Sequence, residues 1–225
     1  MNDLAAALAR RGAPAEVLDR LAAYGHLLME ANRTLNLTAA RTDAAIADQI
    51  ADAFALAPLV RGRLIDVGSG GGLPGIPLVI LTRQPIVLID ATAKKVAFLR
   101  GILQELDLEG EALVGRAETL GHRPDLRGAF DHATARAVGP LTTVAELTVP
   151  FLRTGGTALL QRGRIEPVEL TALEDAALML GAEVSERIPD RGERSILVLR
   201  KRAATQDRFP RKVGVPTKRP LCLEA

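Results

Sequence analysis

The residues best suited to binding chemistry lie between positions 66 and 78: Asp66-Val67-Gly68-Ser69-Gly70-Gly71-Gly72-Leu73-Pro74-Gly75-Ile76-Pro77-Leu78. Gly68, Gly70 and Gly72 stand in G-x-G-x-G spacing. The apolar run Leu64, Ile65 and Val67 leads in and an apolar segment opens at Ile76, so the pattern reads strand, tight turn, helix. Glycine serves a turn of this kind because the chain reverses sharply while its backbone approaches a ligand too closely for a Cβ. The dinucleotide spacing G-x-G-x-x-G would need glycine at 73, where this chain has Leu73. Pro74 and Pro77 have no N–H to give a phosphate at the helix start. A nucleoside without phosphate suits the loop better.

The next such residue is Asp90, which ends the apolar run Ile86-Val87-Leu88-Ile89, 22 residues past Gly68. A carboxylate at the end of a second strand accepts hydrogen bonds from ribose hydroxyls, and the expected offset is about 20 residues. That offset suits NAD and S-adenosylmethionine equally. The loop arbitrates, and it favours the methyl donor.

The elements that must position these residues follow from periodicity. Residues 1 to 60 read as helical. Asp3 caps a short helix ending near Gly12, and Pro14 opens a second with Val17, Leu18, Leu21 and Leu28 on one face. The polar run Asn32 to Thr38 breaks that helix. Asp43 caps a third, whose apolar positions Ile46, Ile50, Phe54 and Leu56 run to Pro58. Beyond the loop, strands at 86–90, 112–114, 130–135 and 157–160 alternate with helices at 94–106, 141–152 and 167–180. Arg116-Ala117-Glu118 follows the third strand and Arg136 the fourth. Alternation of this kind builds a parallel, doubly wound sheet. Strands at 183–188 and 195–200 flank a turn too short for a parallel crossover and must pair antiparallel. The expected fold is α/β, a class I S-adenosylmethionine-dependent methyltransferase: Rossmann-like, with a seven-stranded, mostly parallel sheet whose last strand is antiparallel. A helical extension at 1–60 precedes the domain at 61–202, and a basic tail at 203–225 follows it.

Composition narrows the partners. With 225 residues and 48% hydrophobic content the chain can bury one substantial core. There is no run of about 18 apolar residues, and Asp3, Arg10 and Arg11 interrupt the start, which argues against a signal peptide. These features predict a cytoplasmic protein that does not enter a membrane. The single cysteine, Cys222, excludes an internal disulfide and a cysteine metal cluster, and His26, His122 and His132 are scattered, so no metal site is expected. The net charge of +2 hides an asymmetry. From Arg191 to Ala225 ten basic residues face three acidic ones, a balance of +7 that leaves −5 for the remainder. A basic segment on an acidic body suggests a polyanion partner. Trp is absent, Tyr24 is the single tyrosine and there are five Phe, so RNA contact would rest on Arg and Lys with phosphate.

Four stretches carry a family resemblance: Asp66 to Leu78, Asp90 with Lys94-Lys95-Val96-Ala97-Phe98-Leu99, Ala135-Arg136-Ala137, and Phe209-Pro210-Arg211-Lys212-Val213-Gly214-Val215-Pro216. They closely resemble the bacterial small-subunit rRNA methyltransferase G family, also called glucose-inhibited division protein B, from about Asn36-Leu37-Thr38 to the C-terminus. The resemblance implies methylation of guanine N7 in the decoding-region loop of 16S rRNA. The implied cofactor is S-adenosylmethionine, and the implied partner is 16S rRNA or a small-subunit particle, with a monomer that binds neither DNA nor membrane. Carried over by position, the donor site comprises Gly68, Leu73, Ala117, Glu118 and Arg136, with Asp90 matching the ribose-binding acid of such folds; Gly70 and Gly72 of the loop are expected to join it, and Arg136, Arg162, Arg211 and Lys212 are the expected substrate-binding residues. The chain departs from the family at Asp48-Gln49-Ile50-Ala51-Asp52-Ala53, where an Arg-His-x-x-Asp-Ser pattern is common and only the Asp remains. Ala135 replaces a common Ser, and Arg162 a common Lys, which keeps charge but changes donor geometry.

Missing residues also constrain the chemistry. Methylation at cytosine C5 uses a cysteine nucleophile, and the one thiol lies in the tail. Exocyclic amine methylation uses an Asn/Asp-Pro-Pro-aromatic turn after the fourth strand, where this chain has Thr134-Ala135-Arg136-Ala137. Guanine N7 has an in-plane lone pair and loses no proton on methylation, so no catalytic base is expected. Three alternatives stand beside this reading. The basic tail disfavours a small-molecule methyltransferase and Leu73 an NAD-dependent oxidoreductase. Gly68, Asp90 and Arg136 disfavour a non-catalytic RNA-binding assembly factor.

Overall fold

The computed structural model describes residues 3–136 and 139–222. Ala137, quoted above with its neighbours, lies outside the described residues. Seven strands form one sheet: β1 (Leu64–Val67), β2 (Ile86–Asp90), β3 (Gly110–Val114), β4 (Phe130–Ala135), β5 (Leu152–Arg162), β6 (Ala182–Pro189) and β7 (Ser195–Lys201), in the order β3-β2-β1-β4-β5-β7-β6. β1 to β5 pair parallel, while β7 runs antiparallel to both β5 and β6. The predicted class is the observed one. β5 starts at Leu152, five residues before the predicted strand, because Leu152 pairs with Phe130 ahead of a bulge.

Alternation along the central strands assigns the two faces. Leu64, Ile86 and Leu88 join an apolar cluster with α1 (Asp3–Arg10), α2 (Leu18–Leu35), α3 (Asp43–Ala51), α4 (Gly75–Thr82) and α5 (Ala93–Glu105). Ile65, Val67, Val87 and Ile89 point the other way, into a cluster with α6 (Ala117–Leu120), α7 (Leu141–Thr148), α8 (Pro167–Met179), Phe209 and Leu221. The N-terminal helices thus share one continuous core with the sheet, and the C-terminal segment, which carries the short α9 (Val215–Lys218), packs into the other.

Two expectations about helix ends change. The helix from Leu18 does not break at Asn32 but runs to Leu35 and stops at Asn36, whose φ of 49° is a left-handed conformation that asparagine tolerates. Asn32 is buried and points forward: its Oδ1 accepts from the backbone N–H of Leu37 and Thr38 at 2.7 and 2.9 Å. A polar residue expected to end the helix instead folds the loop beyond it. The cap of α3 is Thr42, whose hydroxyl accepts from Ala45 N at 3.2 Å, and Asp43 is the first helical residue.

Candidate active site

The carboxyl ends of β1, β2 and β3 converge on a crevice of about 260 Å³ lined by Val67, Gly68, Asp90, Thr92, Ala117, Glu118, Leu147 and Thr217, among others. Ligands in open α/β sheets bind at this edge. Gly68, Gly70 and Gly72 all have positive φ, at 73°, 56° and 95°, as the sharp reversal requires. The N–H groups of Gly68 and Ser69 both donate to Ile89 O, at 2.9 and 3.0 Å, clamping the loop on β2. Gly70 N donates to Asp90 Oδ2 at 3.0 Å and Thr92 N to Asp90 Oδ1 at 2.8 Å. Each oxygen of Asp90 is therefore fixed by one backbone donor. A carboxylate offers about four lone-pair sites, so two acceptor positions remain at the crevice edge for a vicinal diol.

The loop is also held from beneath. Tyr24 of α2, fully buried, donates its hydroxyl to Gly71 O at 2.9 Å, and burial pushes its phenol well above the ordinary range. The glycines divide by what a Cβ would meet. At Gly70 the nearest atom would be Gly68 O at 3.9 Å, whereas at Gly72 a Cβ would lie 2.6 Å from Ile76 Cγ1 and 3.0 Å from Leu99 Cδ2. Gly72 thus serves close packing on α4 and α5. Leu73, 5% exposed, belongs to the apolar cluster under the loop. Of the donor-site residues expected from the sequence, Gly68, Asp90, Ala117 and Glu118 line the crevice and Gly70 borders it through Asp90. The side chain of Leu73 and the Cβ direction of Gly72 face the core. Glu118 is 6% exposed and its Oε1 accepts from Gly214 N at 2.9 Å.

Arg136 stands apart from that crevice. Its Nη1 lies 3.5 Å from Asp52 Oδ2 in a part-buried pair. Asp52 Oδ1 also accepts from Arg194 Nη1 at 2.7 Å and Arg191 Nη2 at 3.2 Å. Gln161 Nε2 bridges Asp52 O and Asp190 Oδ2 at 3.1 and 2.7 Å. Arg194 Nε is 3.6 Å from Asp190 Oδ2. Three guanidinium groups thus share two carboxylates, which leaves a local positive excess beyond β4 and β5. Arg162 reaches the same end of the sheet, where its Nη2 donates to Gly139 O and burial lowers its pKa. Asp52 is the acid that remained of the altered helix pattern. Its position in sequence carried no sign that it gathers arginines from residues 136 to 194.

The C-terminal segment departs most from expectation. Arg211 is not free for RNA: its backbone N, Nε and Nη2 all bond Glu146, at 2.6 to 3.0 Å, and Glu146 is fully buried. A carboxylate in the core needs such a partner, and this one claims the guanidinium. Lys212, by contrast, is exposed. Lys201 is buried with Nζ on Val149 O and Leu152 O, and burial lowers its pKa to about 8. Two of the ten basic residues of that segment, Lys201 and Arg211, are therefore engaged inside the molecule. Among the described residues no group of His, Cys, Asp and Glu is arranged to hold a metal ion, and no helix is long and apolar enough to cross a membrane.

These features agree with what the chain resembles. The family model GidB, rRNA small subunit methyltransferase G, matches residues 17–197. The chain is 40% identical over 212 residues to the ribosomal RNA small subunit methyltransferase G of Synechococcus elongatus, covering 87% of this chain and 86% of that one. It is 39% identical over 222 residues to that of Deinococcus deserti, covering 92% and 90%. Among solved structures, the mitomycin 7-O-methyltransferase aligns with a TM-score of 0.56 at 14% identity over 79% of this chain and 60% of that one. A Pyrococcus horikoshii protein aligns at 0.54 and 13% identity over 77% and 99%. At such identities these two show the fold alone. The sequence matches go further: the chain belongs to the rRNA small subunit methyltransferase G family and is an S-adenosylmethionine-dependent enzyme of small-subunit ribosomal RNA.

Proposed function

We propose that this enzyme methylates N7 of a guanine in 16S rRNA, with the donor in the crevice between Gly68, Asp90 and Glu118 and the guanine presented from the side of Arg136. The observation that carries the reading is the Asp90 carboxylate, fixed at both oxygens by Gly70 N and Thr92 N beside a glycine loop without side chains. That arrangement fits a ribose diol. The helix after the loop opens with Pro74 as its N-cap, which offers no N–H for a pyrophosphate. S-adenosylmethionine supplies an electrophilic methyl group. The protein's part is to orient it against N7, and good orientation alone lowers such a barrier by roughly 7–11 kcal/mol. N7 releases no proton, so no side chain is assigned as a base.

In this reading Arg136 donates to the O6/N7 edge of the guanine, as arginine does when it reads that base. Asp52 holds its planar fork in position, and the neighbouring Arg191 and Arg194 supply positive charge for the flanking phosphates. The proposed substrate is 16S rRNA or a small-subunit particle, met by a cytoplasmic monomer that binds neither DNA nor membrane. The test is mass mapping of 16S rRNA from a deletion strain, before and after incubation with purified enzyme and S-adenosylmethionine. A single methyl group should return on one guanine, and Asp90→Ala should abolish its return. Recovery at another base, or undiminished activity of Asp90→Ala, would refute the proposal.

A further inference from the structure

We infer that the C-terminal segment from Arg211 to Thr217 is a wall of the donor crevice, so that donor and segment hold each other in place. This rests on the crevice being the donor site. The sequence suggests a basic arm for RNA, but the contacts point inward. Upstream, Arg127 Nη1 donates to Phe209 O at 2.8 Å, His122 Nε2 lies 2.8 Å from Pro210 O, and Phe209 is 2% exposed. The segment is then fastened twice to α7, by Arg211 on buried Glu146 and by Thr143 Oγ1 on Pro216 O at 2.9 Å. A third fastening ties it to the crevice itself, since Gly214 N occupies Oε1 of Glu118. Thr217, three residues on, lines the same cavity as Gly68, Asp90 and Leu147.

Two physical consequences follow. Thr217 keeps its place at the crevice, and Glu118 its partner Gly214 N, only while the segment is docked, so a chain with the segment released has an incomplete wall. A ligand that binds only the docked state stabilises it by mass action, and the linkage is reciprocal: whatever releases the segment weakens the ligand by the same factor. Lys212 and Lys218 are exposed.

Hydrogen exchange with the full chain tests the idea, using S-adenosylhomocysteine, the unreactive demethylated donor, as probe. At saturation the amides of residues 212–218 should exchange at least about tenfold more slowly, the mass-action effect of a ligand at many times its Kd. Thr217→Trp, at an exposed position, should fold normally and weaken the probe at least about tenfold by filling the crevice. Unchanged exchange, together with normal probe affinity of Thr217→Trp, would overturn the inference if Asp90→Ala still loses the probe. If the wild type binds no probe, the donor site falls, and this inference with it.

Discussion

Asp66 sits in the middle of β1 beneath the glycine loop, fully buried between Leu88 and Thr134 of the neighbouring strands. Neither carboxyl oxygen has a hydrogen-bond partner, and the nearby Ser69 hydroxyl donates instead to the Asp66 main-chain carbonyl at 2.9 Å. Burial raises the carboxyl from 3.8 to about 7 and the charge of Asp90 adds to the rise, while the Arg136 guanidinium offsets it in part. The unfolded chain gives up this proton near the ordinary value while the folded chain keeps it. Stability from Asp66 is therefore complete below about pH 4, falls as pH rises, and is lost above about 7. A displacement from 3.8 to about 7 corresponds to roughly 4 kcal/mol, of which about 3 kcal/mol falls between pH 5 and 8. Asp66→Asn cannot ionise, so its unfolding free energy lacks this component. Urea unfolding of both proteins at half-unit steps across that range, at constant ionic strength, isolates the effect, because His132 and Lys201 titrate alike in each and cancel in the difference. The wild type should lose stability relative to Asp66→Asn as pH rises. A difference that stays flat within error would show that Asp66 is ionised in the fold and refute the reasoning.

Three further outcomes follow from the geometry. Arg136→Lys should lower turnover on 16S rRNA and Arg136→Ala should lower it more, because the ammonium keeps charge but not the planar fork. Both should retain donor affinity by calorimetry, and a raised donor dissociation constant would move Arg136 into the donor site. Arg211→Ala should destabilise the fold by about 3 kcal/mol in urea, at the low end for a broken buried pair because Arg211 is partly exposed, whereas Arg211→Leu with Glu146→Leu should recover most of the loss. Gly72→Ala should cost about 2–4 kcal/mol through left-handed strain plus overlap with Ile76 and Leu99, while Gly70→Ala, strained but unobstructed, should cost about 1 kcal/mol; equal costs would contradict the division of the loop glycines.

The glycine loop, the offset to Asp90, the alternation of strands with helices and the reversed last strand were legible from the chain alone, because each is local or periodic. Turn chemistry depends on a few neighbouring residues, and burial repeats with the period of the element. What the sequence could not assign is which charges would be spent inside the molecule. Arg211 and Lys212 are adjacent and alike in composition, yet one neutralises Glu146 in the core, 65 residues away in sequence, and the other faces solvent. Asp52 was visible only as the remnant of an altered helix pattern, although it collects Arg191 and Arg194 across 139 and 142 residues. Gly72 and Gly70 are equivalent in the spacing and differ only in what packs above them. Thr217 reaches the crevice because the chain returns to α7 after β7, and nothing near it in sequence records that return. Ion pairs and crevice walls are made by segments distant in the chain, so their partners are fixed by tertiary packing, while sequence determines only the elements that bring them together.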